Sequence, residues 1–359
     1  MSPIDRPRLV STFVVLFAAI ALVVSSPGVA AAEPAPSPGW KYTMVGFSNS
    51  SVRDMDVYTS SDGTDFQLLK KAAYRPPAGV VRDPSIVRHT NGLYYITYTT
   101  GDTSIGFASS PDLANWTPMK NWPLPFCCAF LPGTGDGKGP LPLPGVNGSA
   151  GFRDGPSLSP FTTKAWAPEW FVDGNTVNII VSMSAGGGFV PYLMTALNSS
   201  LTLWSFPVAL DGIGADHIDT TIVKVGSTYH AFTKNETKKT IQHAVAPTLR
   251  GRYSYVTPGD WGTLVEGPAV TQLPNGTWRL YLDSYKAGDY VYSDSSDGMR
   301  TWTKPAKLTS VSGTVRHFGI MRERATAPAP AAPADAAPPA ASEPSTSTEP
   351  SIPLEQPNA

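Results

Sequence analysis

The chain has 359 residues with 27 basic and 28 acidic side chains, a formal net charge of −1 and no long run of either sign, which excludes nucleic acid and an anionic membrane surface as principal partners. Hydrophobic residues make up 41% of it, enough for one large core or two ordinary ones, and 32 glycines with 36 prolines favour strands and turns over long helices. The aromatic content of 10% suits a β core as well as a sugar-binding cleft.

The first segment reads as a processing signal. Arg6 and Arg8 precede the apolar run Phe13 to Val24, and Ala30-Ala31-Ala32 supplies the small residues that a signal peptidase requires. The run is short for a membrane span. Residues 1–32 are therefore expected to be a signal peptide, with the mature chain beginning near Glu33 and the protein secreted to the extracellular side. Six of the eleven asparagines stand in Asn-x-Ser/Thr (Asn49, Asn115, Asn147, Asn198, Asn235 and Asn275), which is compatible with a glycoprotein. Asn275-Gly276-Thr277 reads equally well as a hairpin turn.

Four later stretches each place a carboxylate at the start of an apolar strand. They are Arg82-Asp83-Pro84-Ser85-Ile86, Trp166-Ala167-Pro168-Glu169-Trp170, His217-Ile218-Asp219-Thr220-Thr221 and Val265-Glu266-Gly267-Pro268-Ala269. Each is followed, after a turn, by a second strand: Gly92 to Ile96, Gly174 to Ile180, Gly226 to His230 and Gly276 to Leu280. One hairpin used repeatedly signals a repeat architecture. Five outer segments accompany the hairpins, each pairing an apolar strand with a polar turn and a bulky closing residue: Val57 to Phe66, Ile105 to Trp116, Tyr192 to Trp204, Ile241 to Tyr253 and Tyr290 to Trp302. The missing fifth inner strand is supplied by Val315-Arg316-His317-Phe318-Gly319-Ile320, which joins Thr43–Phe47 and Met55–Ser60. The chain over residues 40–324 is thus expected to be an all-β, five-bladed β-propeller closed by pairing of N- and C-terminal strands, a closure that leaves no free edge and suits a monomer. An open sandwich is the competing architecture, but it does not bring one end of successive hairpins to a common point.

Two further segments lie outside that pattern. Cys127 and Cys128 are the only cysteines, and being adjacent they staple nothing distant. A vicinal disulfide stiffening the Pro-rich loop and a pair of reduced thiols are both open. The loop from Asn121 to Lys164 is placed to wall one side of a cleft and favour attack on chain ends. Residues 325–359 hold nine prolines among Ala, Ser, Thr and Glu, too polar for a core, and are expected to form a disordered tail.

In a propeller the innermost strands line a central channel, so Asp83, Glu169, Asp219, Glu266 and His317 are expected to converge. Carboxylates at close range repel, and the repulsion raises at least one pKa. That separates a protonated acid from an ionised base, as glycoside hydrolysis requires. Trp166, Trp170 and Phe107 are candidates for the apolar floor of a sugar site, with core packing the alternative. Glu169 is a candidate for shaping the pocket or binding an arginine. His217, two residues before Asp219, is a candidate substrate contact.

Arg-Asp-Pro-Ser-Ile, Trp-Ala-Pro-Glu, Ile-Asp-Thr-Thr, Glu-Gly-Pro-Ala and Arg-His-Phe-Gly, in this order from about Met44 to Arg322, closely resemble glycoside hydrolase family 43. The resemblance implies an inverting, five-bladed hydrolase of arabinose and xylose linkages. It implies Asp83 as general base, Glu266 as general acid and Asp219 as the residue that raises the acid's pKa and orients it. Inversion implies that Asp83 and Glu266 stand about 6.5–9.5 Å apart, with water between. His317 is implied to sit below the sugar, holding water or a metal such as Ca²⁺ in the central channel; no cofactor is otherwise required. Thr220 stands where many relatives have Pro, and Phe318 separates His317 from the Gly that often follows it directly. With Leu282-Asp283-Ser284-Tyr285 following the acid, the pattern is most similar to enzymes releasing α-L-arabinofuranose from arabinan or arabinoxylan. β-Xylosidase is the nearest alternative. A non-catalytic carbohydrate-binding propeller would keep the aromatics without the acid/base pair, and a fructan-active propeller would be retaining.

Overall fold

A computed structural model describes residues 39–124, 158–159 and 161–325, and among these every regular element is a β-strand. The expected signal peptide, Cys127, Cys128, Asn147, most of the loop between Asn121 and Lys164 and the tail beyond Ala325 lie outside the described residues. The strands form five separate antiparallel sheets. Blade V takes β1 (Trp40–Ser48), β2 (Ser51–Ser60) and β3 (Gln67–Tyr74). Blade I runs through β4 (Arg82–Arg88), β5 (Tyr94–Thr99), β6 (Ser104–Ser110) and β7 (Thr117–Pro118), with β8 (Trp122–Pro123) also on β6. Blade II contains β9 (Lys164–Asp173), β10 (Thr176–Ser184), β11 (Val190–Thr195) and β12 (Val208–Ala209). Blade III contains β13 (His217–Val225), β14 (Thr228–Asn235), β15 (Thr240–Ala246) and β16 (Ser254–Val256). Blade IV contains β17 (Glu266–Gln272), β18 (Trp278–Ser284), β19 (Asp289–Ser295) and β20 (Ala306–Lys307). The last strand, β21 (Arg316–Arg324), pairs with β1 from Trp40↔Arg324 to Phe47↔Arg316 and completes blade V. The inner strands β4, β9, β13, β17 and β21 contact one another in cyclic order, so the chain is the five-bladed propeller expected from the hairpin recurrence, not a sandwich.

Blade faces are apolar because each is covered by the next blade. Five hydrophobic clusters result, one in each space between neighbours. Phe107 stacks on Trp204 between blades I and II, and Phe171 packs with Tyr229 between II and III. Phe232 meets Trp261 and Trp302 between III and IV, Tyr281 meets Phe318 between IV and V, and Ile86 meets Met55 between V and I. The outer turns repeat too. Asp62, Asp112 and Asp297 each accept backbone N–H groups two to four residues on, and each hydrogen-bonds the serine two residues before it.

One irregularity recurs in every blade. The innermost strand slips against its partner between Arg82 and Ser85, Trp166 and Glu169, Ile218 and Thr221, Glu266 and Ala269, and Arg316 and Gly319, so that two residues oppose one. This is a β-bulge. The first inserted residue takes a positive φ each time: Asp83 at 49°, Ala167 at 47°, Asp219 at 57°, Gly267 at 56° and His317 at 28°. A bulge also frees backbone N–H groups, and buried ones need partners. In blades II to V the preceding blade supplies them. Ala167 N–H donates to Thr99 Oγ1 at 2.8 Å, Asp219 N–H to Ser182 Oγ at 3.1 Å, Gly267 N–H to Asp219 Oδ2 at 3.2 Å and His317 N–H to Asp283 Oδ2 at 3.0 Å.

Blade III carries a buried imidazole pair away from the bulges. His230 Nδ1 lies 2.9 Å from His243 Nε2, and the His243 ring stacks on Phe232 at 4.4 Å. Burial, then the neighbouring His230, pushes His243 down to about 3 from its ordinary 6.5. As pH falls below 6.5 the unfolded chain takes up protons that the folded one refuses. The stability from this pair is therefore complete above about pH 6.5 and declines towards pH 3. Urea unfolding at pH 7, 5 and 4 should show that decline, with a slope from this group of up to about 1.4 kcal/mol per pH unit. His243→Phe should flatten it; an unchanged slope would rule the pair out as its source.

Candidate active site

The bulges put chemically active side chains at one end of the channel. Asp83, Asp219 and His317 occupy the same bulge position in blades I, III and V, and the residues there in blades II and IV are Ala167 and Gly267. Glu266 stands one residue earlier, in register with Trp166 and Arg316, and Glu169 two residues later, in register with Ser85, Thr221, Ala269 and Gly319. The expectation of one ring through Asp83, Glu169, Asp219, Glu266 and His317 is corrected to three successive levels.

His317 organises the middle level. Its Nδ1 lies 3.3 Å from Asp83 Oδ1 and 3.9 Å from Asp219 Oδ2. Gly267 lies flat against the ring, where a Cβ would come within 2.7 Å of Cδ2 and 2.8 Å of Cγ. Burial disfavours the charged ring, but Asp219, Asp83 and Glu266 outweigh it and raise the His317 pKa. Asp83 Oδ2 accepts a hydrogen bond from Thr99 Oγ1 at 2.8 Å, so both its oxygens are oriented. Burial, opposed by His317 and Lys234, brings Asp219 up to about 6.

Glu266 is gripped at the outer level. Arg316 Nη2 donates to Oε1 at 2.7 Å and Lys234 Nζ to Oε2 at 2.9 Å. Burial pushes its pKa up, yet Lys234, His317 and Arg316 prevail and hold it below the ordinary value. Asp219 and Glu266 raise each other through their like charge, as expected of Asp219, but the two cations that β14 and β21 bring in set the net direction at Glu266. Arg316 is itself fixed, with Nε on Asp283 Oδ2 at 2.6 Å and Nη1 on Asn49 Oδ1 at 2.6 Å. Lys234, Arg316, Asp283 and Thr99 were not singled out as site residues by sequence reasoning. The available signals were the position of Arg316 beside His317 and the acid within Leu282-Asp283-Ser284-Tyr285.

Glu169 occupies the inner level. It lines a channel cavity of about 110 Å³ with Ser85, Thr221, Ala269 and Ile320. No arginine pairs with it among the described residues. Burial, against the opposing influence of Ser85 and His317, lifts its pKa to about 8. The carboxyl whose pKa is raised is therefore Glu169, whereas that of Glu266 is lowered.

The four aromatic or imidazole candidates separate. Trp166 is half-buried in register with Glu266, with Nε1 donating to Asp102 Oδ1 at 3.1 Å and its ring 5.0 Å from Phe189. Phe107 and Trp170 are buried together in the cluster between blades I and II, so the core reading holds for both. His217 does not join the carboxylates: its Nδ1 faces Gly214 O at 2.9 Å, and its Nε2 lies 2.6 Å from Gln242 Oε1 and 3.1 Å from Tyr255 OH, all within blade III and the loop before it. The bulge turns Asp219 into the channel but leaves His217 before it on the blade's own face.

A calcium ion takes six to eight oxygen ligands. Asp83 and Asp219 instead face an imidazole nitrogen, and among the described residues no three His, Cys, Asp or Glu side chains are grouped to hold a metal ion. The residues around His317 do not fit a Ca²⁺ site built from protein ligands.

A family model described as a probable glycosyl hydrolase domain matches residues 41–323, from β1 to β21. Among solved structures, a family 43 β-1,3-galactosidase superposes with a TM-score of 0.54 at 12% identity, covering 76% of this chain and 58% of that one. A second β-1,3-galactosidase, bound to galactodeoxynojirimycin, gives 0.53 at 13% identity and covers 74% and 90%. A thermostable family 43 glycoside hydrolase gives 0.50 at 16% identity and covers 73% and 90%. The chain thus spans 58% of the first of these structures, and at such identities the likeness concerns the fold alone. No curated protein matches the chain.

Gly267→Ala tests the middle level. A Cβ at φ 56° is strained and strikes the His317 ring, so the variant should lose about 1–3 kcal/mol of unfolding free energy in urea titration. A variant as stable as the parent would show that the ring is not held by this contact.

Proposed function

The chain belongs to the glycosyl hydrolase domain family related to family 43, and from that premise we propose that it is a secreted, inverting glycoside hydrolase of arabinose-containing plant cell-wall polysaccharide, most of all an α-L-arabinofuranosidase. The observation carrying the catalytic reading is the shared bulge that aims Asp83 and Asp219 into one channel end, with Glu266 one residue from the same bulge in blade IV. The order of the five motifs supports the arabinose reading, with β-xyloside as the nearest alternative substrate. Secretion rests on Arg6, Arg8, the apolar run and Ala30-Ala31-Ala32.

The proposed reaction needs only these side chains and water. Asp83, oriented by Thr99 and His317, takes a proton from a water molecule as its oxygen attacks the anomeric carbon. Glu266 delivers a proton to the glycosidic oxygen as the carbon–oxygen bond breaks on the opposite face. Asp219 faces the His317 ring and tunes the field between the two. The resting protein holds Glu266 ionised, so the enzyme should work best on the acidic side, where that carboxyl is loaded. The same grip on Glu266 is the one feature favouring a second reading, a propeller that binds sugar without cleaving it.

Hydrolysis of p-nitrophenyl α-L-arabinofuranoside, β-D-xyloside and β-D-galactoside separates these readings. The parent should release p-nitrophenol from the arabinofuranoside, with an inverted anomer seen first by proton NMR. Asp83→Asn and Glu266→Gln should each lower kcat by about 10²–10⁴. Binding of arabino-oligosaccharide without hydrolysis of any substrate would leave the sugar-binding reading standing.

A further inference from the structure

Lys234 leaves the end of β14 with only 5% of its side chain exposed and is shared between two carboxylates. Its Nζ is 2.9 Å from Glu266 Oε2 and 3.0 Å from Glu236 Oε2, and 5.1 Å from the centre of the Tyr285 ring. Glu236 lies at the surface, where Lys239 Nζ also reaches it at 2.9 Å. The other cation on Glu266 behaves differently. Arg316 is a planar fork with three anchors, Glu266, Asp283 and Asn49, so it cannot leave one without breaking the others. Lys234 is a point charge on a flexible stem with a second acceptor already in reach. A general acid needs a proton, and two cations within hydrogen-bond distance favour its ionised form. Loading Glu266 nearer neutral pH therefore calls for one cation to step back, and Lys234 is the one built to do so.

We infer that Lys234 is a movable counter-charge for Glu266, lying between Glu266 and Glu236 in the free protein and passing to Glu236 when a sugar enters, so that Glu266 takes up the proton it delivers. The inference rests on Glu266 being the general acid. Solvent supplies the proton that Glu266 passes to the leaving oxygen, and the proton that Asp83 takes from the attacking water returns to solvent, so the cycle balances. Lys234 makes and breaks no covalent bond; it is a positioning residue. The other charged or titratable groups facing Glu266 are Arg316 and His317 from β21, Asp219 from β13, Asp283 from β18 and Tyr290 from β19.

The test begins without substrate. Carbon-13 carboxyl NMR of glutamate-labelled protein, with Glu266 assigned by its loss in Glu266→Gln, follows its titration directly. In the parent it should titrate below 4.5. Lys234→Met should move the midpoint up by about 1–3 pH units. Glu236→Gln, a change at the surface that removes the competing acceptor, should move it down. With p-nitrophenyl α-L-arabinofuranoside, the alkaline limb of kcat/KM, which reports the free enzyme, should follow these shifts. The limb of kcat should already lie higher in the parent and change little. An unmoved Glu266 midpoint in both variants would overturn the inference, as would coincident limbs of kcat and kcat/KM in the parent. If the midpoints shift as expected but Glu266→Gln keeps full turnover, the acid assignment falls and the hold of Lys234 on Glu266 stands.

Discussion

One extra residue in each innermost strand is the constraint from which the rest of the structure follows. An uninterrupted strand alternates its side chains between the two faces of a blade, and none is aimed squarely along the channel. The bulge breaks that alternation at one level in all five blades and turns Asp83, Asp219 and His317 inward. It has a cost, because Ala167 and His317 adopt a backbone conformation that non-glycine residues avoid. It also frees amides that must be satisfied. Thr99, Ser182, Asp219 and Asp283 satisfy them across blade boundaries, so the device that aims the site also ties blades I to V in succession.

The charges converging there are set apart by depth. Nearest the mouth, Glu266 has two cations at hydrogen-bond distance and stays ionised. In the middle, Asp83 and Asp219 share the His317 imidazole. Deepest, Glu169 has no cation at hydrogen-bond distance among the described residues, and burial raises its pKa. Low local dielectric makes each of these differences large for a small change in position. Three carboxyl environments therefore arise within a few residues of equivalent strand positions, which is the condition for giving them different roles.

Much of this could be read from the chain. The hairpin recurrence, the outer turns at Asp62, Asp112 and Asp297, and the pairing of the segment around His317 with Thr43–Phe47 all depend on local pattern and turn chemistry, which sequence displays directly. The levels could not be read. Counting acids along inner strands treats Glu169 and Glu266 as equivalents of Asp83, whereas an inserted residue shifts the count, and only the pairing partners reveal where it sits. Lys234 was hidden for another reason. It sits near the end of an ordinary second strand, and its meeting with Glu266 depends on the packing of blade III against blade IV. His217 lies apart from the carboxylates although only two residues from Asp219, because Asp219 opens the bulge and His217 precedes it in regular strand.

The pairing of β1 with β21 has a consequence for how activity arises. A chain emerging from the ribosome can complete blades I to IV while the edge of β1 stays bare, a template for unwanted strand addition. Arg316 and His317 lie on the final strand, so the charge balance around Glu266 and Asp83 does not exist until that strand arrives. Turnover in this molecule is thus a reporter of circularisation: a ring left open retains most of its sheets and lacks a working centre.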